Sequence, residues 1–246
     1  MLEDAFRYQT QGDDWLKRVA IGGVVAFLSF FIIPAFTLQG YMLEVMRRVM
    51  GGRVEDPPAW DSLDLVETTI DGLRHMVVIV PYALVVLLLA GLPIVALVTI
   101  GVLTGSNSLW VLGGLLGVLL YLVGLLAIAV VAPIATANFV RNDSIAAGFD
   151  ISVIRRLATN KTMLTAVLLG VAINIIGNAV TTALLFTVVG ILAFPFIQFV
   201  VQSALFYVWA RGFADAYEEE YGEPPLTATA ETDTDDTAGS PTEEPI

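Results

Sequence analysis

Two long stretches of this sequence, residues 76–140 and 162–210, contain no charged side chain. About 20 consecutive apolar residues in a helix cross the hydrocarbon core of a bilayer, so each stretch is long enough to cross twice. Such stretches would aggregate in water, whereas in lipid a helix satisfies its own backbone hydrogen bonds. The sequence therefore predicts an all-α integral membrane protein, folded as a polytopic helical bundle in a lipid bilayer.

Turn signals divide these stretches into helices. The small polar residues of 104–108 predict a turn in the first stretch, and Gly190 followed by Pro195 predicts a break near 188–191 in the second. We expect a transmembrane domain over 19–217 with about five spans, at 19–41, 77–103, 109–136, 163–187 and 192–212.

The first apolar run, 19–41, allows two topologies because Pro34 interrupts it. In the first, the run crosses once, which places the N-terminus outside the cell. In the second, it bends at Pro34 and returns as a re-entrant segment. Each half would then have about 14 residues, or roughly 21 Å, too short to cross alone. We take the single crossing as the prediction.

Basic residues near the ends of spans predict the orientation in the membrane. The connections 44–75 and 137–162 contain four basic residues each, whereas the turns near 104–108 and 188–191 contain none. We therefore expect these two connections and the C-terminal tail to be cytoplasmic, in a multi-pass protein of the plasma membrane.

Three segments outside the spans carry their own signals. Residues 1–18 resemble an interfacial segment, with Trp15 as a candidate headgroup anchor. Apolar residues at helical spacing after Asp61 predict an amphipathic helix on the membrane surface, or equally a solvent-exposed helix packed on its neighbours. The tail 218–246 is acidic and poor in large apolar residues, which predicts disorder.

Composition narrows the chemistry that the chain can perform. Hydrophobic residues make up 57% of its 246 residues, and the mean hydropathy is +0.79. The chain has no cysteine, which excludes disulfides, thiolate metal ligands and cysteine nucleophiles. A single histidine leaves little material for acid–base catalysis, and nucleotide-binding and zinc-binding motifs are absent. We expect neither an enzyme nor a protein that binds a cofactor, a metal ion or nucleic acid.

Four amides are the strongly polar side chains inside the second uncharged stretch. Asn174 and Asn178 lie four residues apart on one predicted span, and Gln198 and Gln202 do the same on its antiparallel partner. Buried amides form hydrogen bonds between membrane helices. They are therefore candidates either for joining the two helices or for lining a polar cavity.

Glycines on the third predicted span form a stripe that includes Gly113, Gly117 and Gly124. Small residues at this spacing let helix backbones approach closely. The stripe predicts packing between helices of one chain or, alternatively, a seam between two copies in a homo-oligomer.

Asp71, Arg74 and His75 lie where the amphipathic helix enters the second span. His75 could in principle serve as a metal ligand or a pH sensor. Because the chain has no second histidine and no tight carboxylate cluster nearby, we expect these residues to act as interfacial anchors that contact lipid headgroups.

These observations favour a non-enzymatic membrane protein, either a scaffold or a subunit of a membrane assembly with a membrane-protein partner. The alternative is a transport component whose polar cavity is lined by Asn174, Asn178, Gln198 and Gln202. No ionisable residue accompanies these amides in the spans, and proton relays usually need one.

The chain carries several short motifs, which are Trp15-Leu16-Lys17-Arg18, Gly40-Tyr41 followed by Arg47 or Arg48, Pro58 and Trp60 ahead of Asp71-Gly72-Leu73, and Phe149-Asp150. With these motifs the chain resembles an integral-membrane family known as domain of unknown function 4013.

The resemblance covers about residues 10–215. It implies a multi-pass membrane protein and brings no catalytic residues with it. The family is common in halophilic archaea, and such a source would suit the acidic tail and the predominance of arginine over lysine.

Overall fold

The computed structural model describes residues 1–226, and within that range every regular element is helical. The prediction of an all-α fold is confirmed for these residues. Short 3₁₀ segments, Trp60–Ser62 and Ile145–Phe149, lie in two of the connections. The α-helices are α1 (Leu2–Tyr8), α2 (Trp15–Leu28), α3 (Ile32–Met50), α4 (Leu65–Thr104), α5 (Asn107–Asn142), α6 (Ile151–Leu157), α7 (Lys161–Leu184) and α8 (Val188–Tyr221).

Four of these helices, α4, α5, α7 and α8, are long and apolar enough to cross a membrane. They form two helical hairpins. Gly105 ends α4 in the left-handed conformation at φ 67°, which glycine adopts without steric cost. Between α7 and α8, the side chain of Thr187 caps the new helix by accepting a hydrogen bond from Gly190 N at 2.9 Å. The turn between α4 and α5 lies within the predicted 104–108, whereas the break before α8 lies at 185–187, ahead of the predicted 188–191, which belongs to α8.

The first apolar segment does not form one helix, so the predicted single span 19–41 is wrong. α2 ends at Leu28, Phe31 is extended, and α3 starts at Ile32. Pro34 lies in the first turn of α3, where a missing backbone N–H breaks no helical hydrogen bond. Two of the three turn residues are phenylalanines, so this turn lacks the polar signal that marks the turn of α4 and α5.

α2 and α3 instead form a third hairpin, which returns the chain to the end where α2 begins. Trp60 follows α3 and donates from Nε1 to the carbonyl O of Arg18, in the first turn of α2, at 3.2 Å. Beside this contact, Lys17 Nζ lies 2.9 Å from Asp61 Oδ2. The alternative of a segment that bends and returns describes this geometry, although the break precedes Pro34.

The ends of the hairpins opposite their turns lie together, and we call this region the charged end. Arg74 at the start of α4 lies 4.0 Å from Asp143 at the end of α5. The guanidinium of Arg141 lies 4.3 Å from the centre of the Tyr217 ring on α8. All lysines and arginines belong to segments at this end, whereas the three turns contain no charged residue.

The apolar core is concentrated at the charged end. Residues 133–140 of α5 and 203–208 of α8 are all buried. Nearer the turns, large apolar side chains are exposed, among them Leu89, Leu126 and Phe186. The described chain therefore has two parts, a packed charged end and projecting hairpins with apolar surfaces.

The charged end also revises the predicted segment boundaries. α4 begins at Leu65, where the Asp64 side chain accepts hydrogen bonds from Val66 N and Glu67 N. The predicted surface helix is the first part of α4. α8 continues to Tyr221, so the first residues assigned to the tail are helical. Residues 227–246 of the predicted disordered tail lie outside the described residues.

Candidate functional site

Residues quoted for the family resemblance converge at the charged end. The Tyr41 ring stacks on Trp60, with ring centres 4.2 Å apart and planes inclined by 16°. The Tyr41 hydroxyl lies 2.9 Å from the Pro58 carbonyl O and 3.1 Å from Gln9 Oε1. Gln9 Nε2 in turn donates to Ser203 Oγ at 2.6 Å. This Tyr41 cluster joins the segment after α1, α3, the loop after α3, and α8.

The Tyr41 cluster is closed to solvent. Tyr41 and Gln9 are 0% exposed and Trp60 is 6% exposed. Beside it, the Tyr8 hydroxyl donates to the Asp56 carbonyl O at 3.1 Å. Burial raises the pKa of the Tyr8 phenol well above its usual range, so the group is neutral and remains a donor. The cluster therefore fixes the N-terminal segment rather than forming an open binding site.

A chain of opposite charges links α3 to α4 next to the Tyr41 cluster. Glu44 pairs with Arg47 at 2.7 Å and with Arg48 at 3.1 Å. Arg47 also lies 3.3 Å from Asp71 on α4, and Asp71 lies 3.4 Å from Arg74. Because every arginine here has an acidic partner, the network holds the two helices in one register.

Two glycines allow α3 and α4 to approach closely enough for these contacts. A Cβ atom at Gly40 would fall on the carbonyl O of Thr68, and one at Gly72 would fall on the carbonyl O of Phe36. Any larger residue would force the backbones apart. This crossing gives a structural role to Gly40 and Gly72, the glycines of the motifs that contain Tyr41 and Asp71.

A polar cavity of about 430 Å³ lies between α3 and α4, and residues of the charge network form part of its wall. Acidic side chains outnumber arginines in its wall, so its chemistry suits polar or cationic groups. Within residues 1–226, no three His, Asp or Glu side chains are arranged to hold a metal ion. Its lining includes Gly40, Glu44, Arg47, Arg48, Asp64, Glu67, Thr68, Asp71 and Asp143.

An exposed ion pair between Lys17 and Asp61 joins α2 to the loop after α3 at the edge of the charged end. The hydrogen bond from Lys17 lowers the pKa of the Asp61 carboxyl below its usual range, and the reciprocal contact raises the pKa of Lys17. Both side chains are more than half exposed, so the pair adds little stability and serves to align α2 with the loop.

The four candidate interfacial residues divide into two kinds. Trp15 is 41% exposed at the start of α2, and the Arg74 side chain is half exposed. Asp71 and His75 are buried inside the protein and are not free to contact headgroups. The anchoring role stays a prediction for Trp15 and Arg74 only.

His75 is held by two polar neighbours on other helices. Its Nε2 lies 2.8 Å from Thr136 Oγ1 on α5, and its Nδ1 lies 3.2 Å from Gln39 Nε2 on α3. An amide nitrogen can only donate, so Nδ1 accepts and Nε2 carries the proton. His75 thus joins three helices as a neutral imidazole.

One candidate role of the amides, hydrogen bonds that join the two pairs across α7 and α8, is not seen in the described chain. Asn178 Nδ2 donates to the backbone O and to Oδ1 of Asn174, both at 2.7 Å, along its own helix. Asn174 and Asn178 are exposed, and Gln198 and Gln202 are half-buried on α8. Among residues 1–226, no hydrogen bond joins the pairs, because α7 and α8 meet through glycine instead.

The glycine stripe packs within the chain. A Cβ atom at Gly113 would lie 2.8 Å from Leu97 Cβ on α4, and Gly117 and Gly124 face Ile94 and Val86 on the same helix. α4 occupies this face, so it is not available as a seam between two copies.

The sequence did not single out Gln9, Ser203 or Glu44 as site residues. Gln9 lies among other polar and charged residues in the N-terminal segment, so the sequence does not distinguish it from its neighbours. Glu44 had a usable signal, since an acid three and four residues before two arginines predicts ion pairs on one helical face.

Comparison with known proteins agrees with the resemblance drawn from the motifs. A family model described as "Protein of unknown function (DUF4013)" matches residues 27–186. The match contains Tyr41, Trp60 and the whole charge network, and it leaves α1, most of α2 and all of α8 outside. No curated protein and no solved structure matches the chain. Because the match covers more than half of the sequence, the chain belongs to this family of proteins of unknown function, DUF4013.

Proposed function

We propose that the protein is a non-enzymatic scaffold or subunit of a membrane assembly, with its charged end on the cytoplasmic face of the plasma membrane. The observation that carries this proposal is the division of the molecule into a packed charged end and hairpins with apolar surfaces. Apolar helices of this length are stable where lipid covers them. The charged end would then present its polar cavity to the cytoplasm.

The proposed topology has four crossing helices and one re-entrant hairpin. α4, α5, α7 and α8 would cross, and the hairpin of α2 and α3 would enter and leave on the same side. α2 has 14 residues, or about 21 Å, which is less than the hydrocarbon thickness. Every lysine and arginine is then cytoplasmic, in agreement with the positive-inside rule.

Transport remains the alternative, but the geometry gives it less support. A polar pathway would need the four amides to face one another across a water-filled space. Asn174 and Asn178 are instead bonded to each other along α7. Purified protein in liposomes should pass no more ions or small solutes than empty liposomes. A flux that Asn174→Leu abolishes would favour transport over the scaffold.

Labelling of single cysteines tests the proposed topology, since the chain has no native cysteine. Ser108→Cys and Val188→Cys, next to the turns of the two long hairpins, should react with a membrane-impermeant maleimide on intact cells. Asp13→Cys and Glu223→Cys should react only after permeabilisation. Labelling of Asp13→Cys from outside would restore five spans and contradict the re-entrant hairpin.

A further inference from the structure

An apolar groove lies between α4, α5 and α6, and we call it the α6 groove. Its volume is about 350 Å³, and its wall consists of apolar residues with one exception. The exception is the Tyr82 hydroxyl, which donates to the Gly148 carbonyl O at 2.7 Å. The groove therefore offers a hydrocarbon surface without a free side-chain donor. Its lining includes Val85, Leu89, Ala127, Ile151 and Ile154.

The α6 groove lies near the charged end and is open to the surroundings of the hairpin. Tyr82 follows Arg74 by eight residues, or about 12 Å along α4. Nearer the turn, Leu89 is 66% exposed. In the proposed function, this part of α4 lies in the cytoplasmic half of the bilayer, so lipid is the solvent that meets the groove.

The exposed face of α6 carries an apolar and a basic side chain next to the groove. Ile151 is 76% exposed although α6 belongs to the charged end. Arg155 follows one helical turn later on the same face and is also exposed. Long helical side chains lean towards the start of their helix, which favours a guanidinium close to Ile151. Arg155 therefore stands at the rim of the α6 groove.

Arg155 is available for an anionic group. Among residues 1–226 no carboxylate pairs with it, whereas its neighbour Arg156 lies 3.6 Å from Glu220. Asp150, the acid closest in sequence, is occupied as the N-cap of α6 and accepts from Ser152 N at 2.9 Å. A phosphate would give Arg155 the anionic partner that the described chain does not supply.

We propose that the α6 groove binds one hydrocarbon chain of an anionic phospholipid, whose headgroup phosphate is bound by Arg155. The inference rests on the proposed function, in which α4 and α5 cross the bilayer from a cytoplasmic charged end. A lipid of the cytoplasmic leaflet then reaches the groove and the guanidinium at once. Basic sites between membrane helices on this side bind anionic headgroups.

The size of the α6 groove favours a lipid chain over a protein partner. Pockets for small molecules measure about 300–1,000 Å³, and the α6 groove lies at the lower end of this range. An arginine beside an exposed isoleucine is also the pattern of a helix that lies at the membrane surface, where its apolar face meets lipid chains and its basic face meets headgroups.

Photo-cross-linking in vesicles of phosphatidylcholine tests the site. A trace of phosphatidylglycerol carries a diazirine in its acyl chain, and mass spectrometry identifies the labelled peptides. Labelling should concentrate on residues 82–89, 120–131 and 149–156. It should exceed the labelling by phosphatidylcholine with the same diazirine chain about fivefold, the size expected for one arginine near an anionic group.

Arg155→Gln should lower the labelling by phosphatidylglycerol to the level seen with phosphatidylcholine. Arg53→Gln is the matched control, since Arg53 is also exposed but lies in the loop after α3, and it should leave the labelling unchanged. Equal labelling by the two lipids, or an equal loss in both variants, would overturn the phosphate site.

Filling the α6 groove tests the binding of the chain separately. Ala127→Trp places an indole in the groove and should reduce the labelling of its walls by either lipid. Leu126→Trp adds the same side chain at a position that is 70% exposed and does not line the groove, so the labelling should persist. Labelling spread evenly along α4 and α5, or unchanged by Ala127→Trp, would overturn the groove.

The outcomes separate this inference from the proposed function. If Ser108→Cys reacts from outside while the lipid labelling fails as described, the lipid site is wrong and the topology stands. If Ser108→Cys cannot be labelled from outside, the crossing of α4 and α5 is wrong, and the lipid site loses its basis as well.

Discussion

At the scale of single residues, the Tyr41 hydroxyl is the point where four segments of the chain meet. It serves two acceptors, Gln9 Oε1 and the Pro58 carbonyl O, in a fully buried place. The motifs drew attention to Tyr41 and Trp60 as family residues, but their roles were invisible in the sequence. Gln9 and Ser203 are 194 residues apart in the sequence, and no local sequence pattern indicates a contact over such a separation.

Replacing Tyr41 with phenylalanine should destabilise the protein. The change leaves Gln9 Oε1 buried without its donor, which typically costs about 1–3 kcal/mol. Unfolding in detergent, followed by circular dichroism against temperature or denaturant, measures the loss. Tyr121→Phe on the exposed face of α5 is the matched control and should change little. Equal stability of the two variants would mean that the Tyr41 hydroxyl contributes nothing.

At the scale of elements, the long helices were predictable and the first hairpin was not. The turn near Gly105 contains polar and glycine residues, and the break before α8 is followed by Gly190. The turn at 29–31 is mostly phenylalanine, and its apolar character resembles that of the helices on either side. Hydrophobic periodicity cannot distinguish one long helix from two short ones without a polar break.

The crossing of α3 and α4 gives a prediction at this scale. Gly40→Ala places a methyl group on the Thr68 carbonyl O, so the helices must separate and the Arg47–Asp71 pair must lengthen. We expect a loss of about 1–3 kcal/mol, as for an overpacked core. Thermal unfolding in detergent provides the measurement.

Gly91→Ala on α4 is the control for this change. A Cβ atom there meets nothing within 4 Å, so the substitution should be neutral or stabilise the helix by up to about 1 kcal/mol. If Gly40→Ala behaved in the same way, the close approach of α3 and α4 would not matter for stability.

At the scale of the whole molecule, the sequence predicted that most basic residues lie at one end. It did not predict that all of them do. Eight of the nine basic residues beyond Arg18 were expected on one side from their positions in two connections, and Arg211 from its position at the end of the last span. The single-span prediction separated Arg7, Lys17 and Arg18 from them. Folding of α2 against α3 brings these three residues to the same end, a consequence of tertiary contacts such as that of Trp60 with Arg18.

In the proposed topology, the unequal lengths of the two long hairpins also affect how the molecule fits its membrane. The uncharged part of α4, residues 76–104, spans about 44 Å, whereas α7 with its 24 residues spans about 36 Å. With all helices anchored at one end, a bilayer that matches α7 leaves the longer hairpin mismatched. That hairpin must tilt, and its tilt would decrease in thicker lipid. Spin labels at Ser108 and Val188 would detect the change as a distance that depends on lipid chain length.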